Sequence, residues 1–165
     1  MVEKIRTLVS VLFVLAVLQR AASAHQLDEY IQSTLVDISP DKIVLKINLT
    51  PGAEVAEQVI GAIDLNKDGE VSVMEATHYA MSLGESLSLK VDGRGVALKS
   101  GEGRFPQESE MREGTGIIEL EFAASSLGLR PGKHVATFIN QHMRPISAYL
   151  VNAALPRSPA ITFLR

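Results

Sequence analysis

The segment Asp64-Leu65-Asn66-Lys67-Asp68-Gly69-Glu70-Val71-Ser72-Val73-Met74-Glu75 carries oxygen donors at the spacing a hard cation requires. Ca²⁺ takes about six to eight oxygen ligands at about 2.3–2.6 Å. Asp64, Asn66 and Asp68 put side-chain oxygens on alternate residues, at positions 1, 3 and 5 of a twelve-residue loop. Gly69 at position 6 permits the sharp turn such a loop needs. Glu70 at position 7 offers its backbone carbonyl, and Ser72 at position 9 offers its hydroxyl or a bound water. Glu75 at position 12 closes the shell with both carboxylate oxygens, a geometry that favours Ca²⁺ over the tighter octahedron of Mg²⁺. The candidate metal ligands are therefore Asp64, Asn66, Asp68, Glu70, Ser72 and Glu75, and the ion is Ca²⁺.

The flanks supply elements that would hold this loop. Glu54 to Ile63 carries Val55, Val59, Ile60 and Ile63 at helical spacing, with Pro51 at its start. Met74 to Leu83 reads as a second helix ended by Gly84. Val71 at position 8 is aliphatic and suited to packing between the two helices. Residues 51 to 83 thus resemble a single EF-hand. Such hands usually work in pairs, and no second loop is present. Asp37 to Asn48 begins similarly, but Lys42 replaces the glycine and Asn48 the final Glu. An unpaired hand needs another partner, either the rest of the domain or a second copy of the protein.

Around this insertion the pattern is that of strands. Ile43, Leu45, Ile47 and Leu49 alternate with polar residues, and Ser39-Pro40-Asp41 forms a turn before them. Tyr30 to Ile38 is expected as the strand partner, although Leu27, Ile31, Leu35 and Ile38 also suit a helix. Leu87, Leu89 and Val91 lead into the turn Asp92-Gly93-Arg94-Gly95, with Val96 and Leu98 returning. Residues 100 to 116 read as a long loop, with Glu108, Glu110 and Glu113 a solvated cluster. Ile118, Leu120 and Phe122 mark a half-buried strand, His134 to Asn140 and Ile146 to Asn152 two more, and Ile161 to Leu164 the start of a last. The expected fold is α+β: a mostly antiparallel β-sandwich, residues 25 to 165, with the helix–loop–helix inserted between its second and third strands.

Residues 1 to 24 have the form of a secretory signal peptide. Lys4 and Arg6 begin it, Leu8 to Leu18 is apolar apart from Ser10, and Ala22-Ser23-Ala24 fits a cleavage site. A spanning helix needs about 20 apolar residues, and Arg20 cuts this run short. An exported protein, periplasmic or extracellular, is expected. The leader contains Lys4, Arg6, Arg20 and Glu3, so the remainder carries 13 basic and 18 acidic residues, a net −5. That balance argues against nucleic acid and anionic membrane surfaces as partners. With no Cys, disulfides and a lipoprotein anchor are impossible.

The exported chain is also similar to a bacterial family of secreted EF-hand proteins. The stretches that carry the likeness are Ala24 to Tyr30, the loop, Arg104-Phe105-Pro106 with Met111 to Gly114, and Ile146 to Ala153. More distantly it resembles extracytoplasmic domains associated with HupE/UreJ-type metal permeases. The resemblance implies calcium binding in the periplasm and no known catalysis; a permease or a second copy is the expected partner. Related chains carry a further strand beyond the position of Arg165, which leaves the completeness of the sheet open.

A second metal chemistry is conceivable at the mature terminus. Cleavage after Ala24 would make His25 first, and its amine and imidazole could chelate copper or nickel, with His78, His134 or His142 adding a nitrogen. No nucleophilic constellation is present: there is no Cys and no G-x-S-x-G, and Ser125-Ser126 lie in a turn. The chain does not read as an enzyme.

Overall fold

Alternating apolar residues build the first two strands, β1 (Tyr30–Ile38) and β2 (Lys42–Pro51). A computed structural model describes residues 28–125 and 127–164, so the expected signal peptide and His25 lie outside the described residues. The two strands pair antiparallel, with Tyr30 opposite Pro51 and Ile38 opposite Ile43. Ser39 holds the turn between them: its amide and its hydroxyl both donate to the Lys42 carbonyl, at 2.8 and 2.9 Å. On β2 the alternate residues Ile43, Leu45, Ile47 and Leu49 are buried, as the pleat requires. On β1 the inward face is Tyr30, Gln32, Thr34 and Val36. Ile31 and Leu35, whose spacing also suited a helix, lie on the opposite face.

The helix–loop–helix follows β2, as α1 (Ala56–Ile63) and α2 (Val73–Glu85). Three boundaries differ from expectation. Pro51 does not open a helix; it ends β2, and a turn over Gly52 to Val55 leads into α1. α2 begins at Val73, because Ser72 caps it. It also runs through Gly84, which does not end the helix. A Cβ on Gly84 would stand 3.0 Å from the Phe122 ring, so the glycine serves close packing rather than termination.

β3 (Leu87–Val91) then turns into β4 (Arg94–Gly95). Asp92 and Gly93 both hold positive φ, 51° and 77°, the mirror-image turn whose twist matches a two-residue hairpin. The return strand expected over Val96 and Leu98 is short. After Val96 donates to the Leu89 carbonyl at 2.9 Å, the chain crosses to the other sheet as β5 (Lys99–Ser100). Residues 100 to 116 are not all loop. They include α3 (Glu108–Arg112), where Glu110 reaches back to the amide of Gln107 at 3.0 Å. β6 (Ile118–Ser125), β7 (Ala136–Asn140) and β8 (Ser147–Ala153) complete the strands, with a 3-10 turn at Arg144–Ile146 before the last. Ile161 to Leu164, expected to begin a strand, has no strand geometry.

Among the described residues the strands form two sheets, ordered β5-β6-β2-β1-β8 and β4-β3-β7. All pairs are antiparallel except β1 with β8. The fold is α+β, sandwich-like but not closed, with the helix–loop–helix inserted between β2 and β3. One apolar cluster joins both sheets to all three helices, including Leu45 and Leu49 of β2, Ile63 of α1, Leu83 of α2, Met111 of α3 and Phe122 of β6. Each such side chain contributes about 1.5–3 kcal/mol when fully buried. No described helix is long and apolar enough to cross a membrane.

Candidate metal centre

The loop begins where α1 stops. Asp64 is the C-cap of α1, and its amide donates to the Ile60 carbonyl at 2.8 Å. The loop ends inside the first turn of α2, where Ser72 is the N-cap and Glu75 the third helical residue. Ser72 and Glu75 form a capping box. The Ser72 hydroxyl accepts from the Glu75 amide at 3.3 Å, and Glu75 Oε2 accepts from the Ser72 amide at 3.0 Å. Such a cap contributes about 0.5–2 kcal/mol. Positions 9 and 12 of the loop are thus also the start signal of the helix that carries them.

The loop is folded on its own amides. Asp64 Oδ1 accepts from Lys67 N at 2.7 Å, and Oδ2 from Gly69 N at 3.0 Å. Asn66 Oδ1 accepts from Asp68 N at 3.0 Å, and Asp68 Oδ1 accepts from Glu70 N at 2.9 Å. Asn66 also donates through Nδ2 to Asp68 Oδ2 at 2.7 Å. The backbone turns tightly at Lys67 and Gly69, with φ of 61° and 85°. At Gly69 an added Cβ would meet nothing within 4 Å, so the glycine is needed for its φ and not for space.

Glu75 closes the ring from the far end. Its Oε1 accepts from Leu65 N at 2.9 Å and Asn66 N at 3.3 Å, directly after Asp64 in the chain. The position-12 carboxylate thus reaches back to the residues just after position 1, and Asp64 and Glu75 are both buried, at 4% and 6% exposure. Asn66, Asp68, Glu70 and Ser72 stand on the exposed side of the loop. Val71 is half-buried against the apolar cluster. Among the described residues, no three carboxylate or imidazole side chains converge closely enough to grip an ion as they stand. They are turned toward loop amides instead.

These contacts set the charge states. Burial pulls the Asp64 carboxyl upward, but the amides of Gly69, Lys67 and Asp68 and the neighbouring Glu108 carboxyl outweigh it and hold it below its usual value. The Ser72 hydroxyl and amide, helped by Asn66 and Leu65, lower Glu75 against the effect of burial. Both are ionised at neutral pH, the state a cation site needs.

No family model, no curated protein and no solved structure matches this chain.

The donor set fits Ca²⁺ in kind. It is all oxygen, with carboxylates on Asp64, Asp68 and Glu75 and an amide oxygen on Asn66. One feature beside it was not legible as part of the loop. Glu108 of α3 is not solvated; it is 7% exposed and lies against Asp64. Arg112 Nη2 binds its Oε2 at 2.8 Å, while Arg112 Nε binds Glu57 of α1 at 2.6 Å. The spacing Gln107-x-x-Glu110 was the signal that a helix begins there.

α2 is also tied to the sheet. Tyr79, one turn beyond Glu75, shares a hydrogen bond with Tyr30 of β1 at 2.6 Å and one with His142 Nε2 at 3.0 Å. Gln32 of β1 donates to the His142 carbonyl at 2.8 Å and accepts from Asn140 at 2.8 Å. His142 is 5% exposed, and burial pushes its imidazole down to about 4. His134 uses both ring nitrogens, on Asp92 and on the Arg130 carbonyl, each at 2.7 Å. His78 is exposed on α2.

Proposed function

We propose that this chain is an exported calcium-binding protein that holds one Ca²⁺ in the loop Asp64 to Glu75. The observation that carries the reading is the closure of the loop. Glu75 at its last position accepts from the Leu65 and Asn66 amides directly after Asp64 at its first, between two helices anchored in the core. An Asp- and Gly-rich surface turn does not require a buried carboxylate at each end.

The ion, when bound, supplies the positive charge that balances Asp64, Asp68 and Glu75. The chain's own part is positional. α1 presents Asp64 at its end, and α2 presents Glu75 in its first turn, where a carboxylate also suits the helix dipole. Gly69 and Lys67 bend the backbone so that Asn66, Asp68 and the Glu70 carbonyl follow one another. Ser72 fixes where α2 starts.

Calcium then stabilises the fold by mass action, because the folded loop binds and the unfolded chain does not. Extracytoplasmic calcium modules bind at about 10⁻⁴–10⁻³ M. With Kd of about 0.2 mM and about 2 mM calcium, the gain is about 1.4 kcal/mol. That favours a structural or modulatory role. The test is thermal unfolding in calcium and in chelator, with Glu75→Gln as control. A melting temperature raised by calcium in the wild type and not in the variant supports the reading; equal temperatures in the wild type overturn it.

A further inference from the structure

Resting on the calcium reading above, we propose that Glu108 is a ligand of the same ion, a carboxylate that reaches the loop from outside it. Glu108 sits in α3, beyond the helix–loop–helix and more than thirty residues after Glu75. Its side chain is almost wholly buried, at 7% exposure. Oε2 is taken by Arg112. Oε1 is buried and has no hydrogen-bond donor in the protein. Buried polar atoms without a partner are rare and call for an explanation.

The surroundings narrow that explanation. The Glu108 carboxyl lies within hydrogen-bonding reach of the Asp64 carboxyl. Asp64 has no donor to give it, since Lys67 N and Gly69 N occupy its two oxygens as acceptors. Two carboxylates at such range need a proton or a cation between them, and the contact lowers Asp64 as a shared proton would. Arg112 does not serve, because it is held on Oε2 and divided with Glu57. A calcium ion held by Asp64, the first position of the loop, would take the place of that proton.

The loop also has room for an outside ligand. Ser72, its donor at position 9, already gives its proton to Glu75 Oε2 at 2.6 Å and accepts from the Glu75 amide. Ca²⁺ takes up to about eight oxygens, so Glu108 fills a place otherwise left to water. α3 packs on α1 and on β2. An ion shared with Glu108 therefore ties the helix–loop–helix to the sheet beneath it.

Calcium calorimetry on the metal-stripped protein tests this with Glu108→Gln, Glu108→Ala and Glu75→Gln. Glu108→Gln is expected to keep one ion per chain and to bind it about ten- to hundredfold more weakly. In chelator it should melt close to the wild type, because its amide can donate to Asp64 and still accept from Arg112. Tb³⁺ luminescence lifetimes in H₂O and D₂O count the waters on a bound ion, and Glu108→Ala should gain one. Wild-type affinity in Glu108→Gln overturns the proposal, and so does weaker binding with an unchanged water count in Glu108→Ala. Early melting of both variants in chelator assigns Glu108 to packing and overturns it too. Binding lost in Glu75→Gln but intact in Glu108→Gln overturns only this proposal. No binding by the wild type at millimolar calcium overturns the loop reading itself.

Discussion

Lowering the pH from 7.5 to 4 should destabilise this protein through His142 in particular. The ring is 5% exposed. It stands edge-on to Tyr79 at 5.3 Å and to Tyr30 at 6.4 Å between centroids. Its Nε2 bonds only a tyrosine hydroxyl, and no carboxylate among its described contacts would stabilise an imidazolium. Burial thus favours the neutral ring and lowers its pKa to about 4. The unfolded chain takes up the proton near the ordinary value of about 6.5. Stability from the neutral ring is complete above that value and is lost as pH falls toward 4. At 1.36 kcal/mol per pH unit the loss approaches about 3 kcal/mol. That is a large share of a typical total of about 5–15 kcal/mol.

The assay is urea unfolding at several pH values for the wild type and for His142→Gln, which can still meet Tyr79 but cannot titrate. Asp64, Glu75 and Asp92 also have lowered values. They titrate alike in both proteins and cancel in the difference. The stability gap between the two proteins should shrink by about 3 kcal/mol between pH 6.5 and 4. A gap that does not vary with pH, or an NMR titration of His142 with a midpoint near 6.5, would refute the reasoning.

Other perturbations follow from the same contacts. Tyr79→Phe removes the hydroxyl between Tyr30 and His142 and should lower stability by about 1–3 kcal/mol in urea unfolding; no change would mean the network contributes nothing. Gly69→Ala places a side chain at φ of 85°. It should lower the melting temperature in chelator by an amount equivalent to about 1–2 kcal/mol, and weaken calcium binding as well. Gly84→Ala should destabilise the fold without moving calcium affinity in the loop, because its Cβ meets the Phe122 ring. His134 has the opposite sign to His142. The Arg130 carbonyl and Asp92 raise its pKa, so its contribution is complete below about 6.5 and is lost as pH rises through the folded value. His134→Asn should remove that alkaline loss in the same urea series.

The loop was legible because each oxygen donor sits at a fixed offset, and the same residues Ser72 and Glu75 announce the start of α2. β2 was legible because its buried face is wholly aliphatic. β1 was ambiguous because Ile31 and Leu35, on the face opposite Gln32 and Thr34, also suit a helix; Gln32 is satisfied by His142 and Asn140, residues more than a hundred positions away. Distance along the chain also hid the parallel pairing of β1 with β8 and the meeting of Glu108 with Asp64. A glycine after an apolar run reads as a stop, yet Gly84 is a contact with Phe122, and only the packed structure separates the two. Ile161 to Leu164 alternates too briefly to decide between strand and coil.

The most direct measurement is a calorimetric calcium titration of the metal-stripped protein beside Glu75→Gln. One calcium per chain in the wild type, lost or severely weakened in the variant, is the expected result. No heat at millimolar calcium in the wild type, or equal binding by the variant, would contradict the assignment of the Asp64–Glu75 loop as a calcium site.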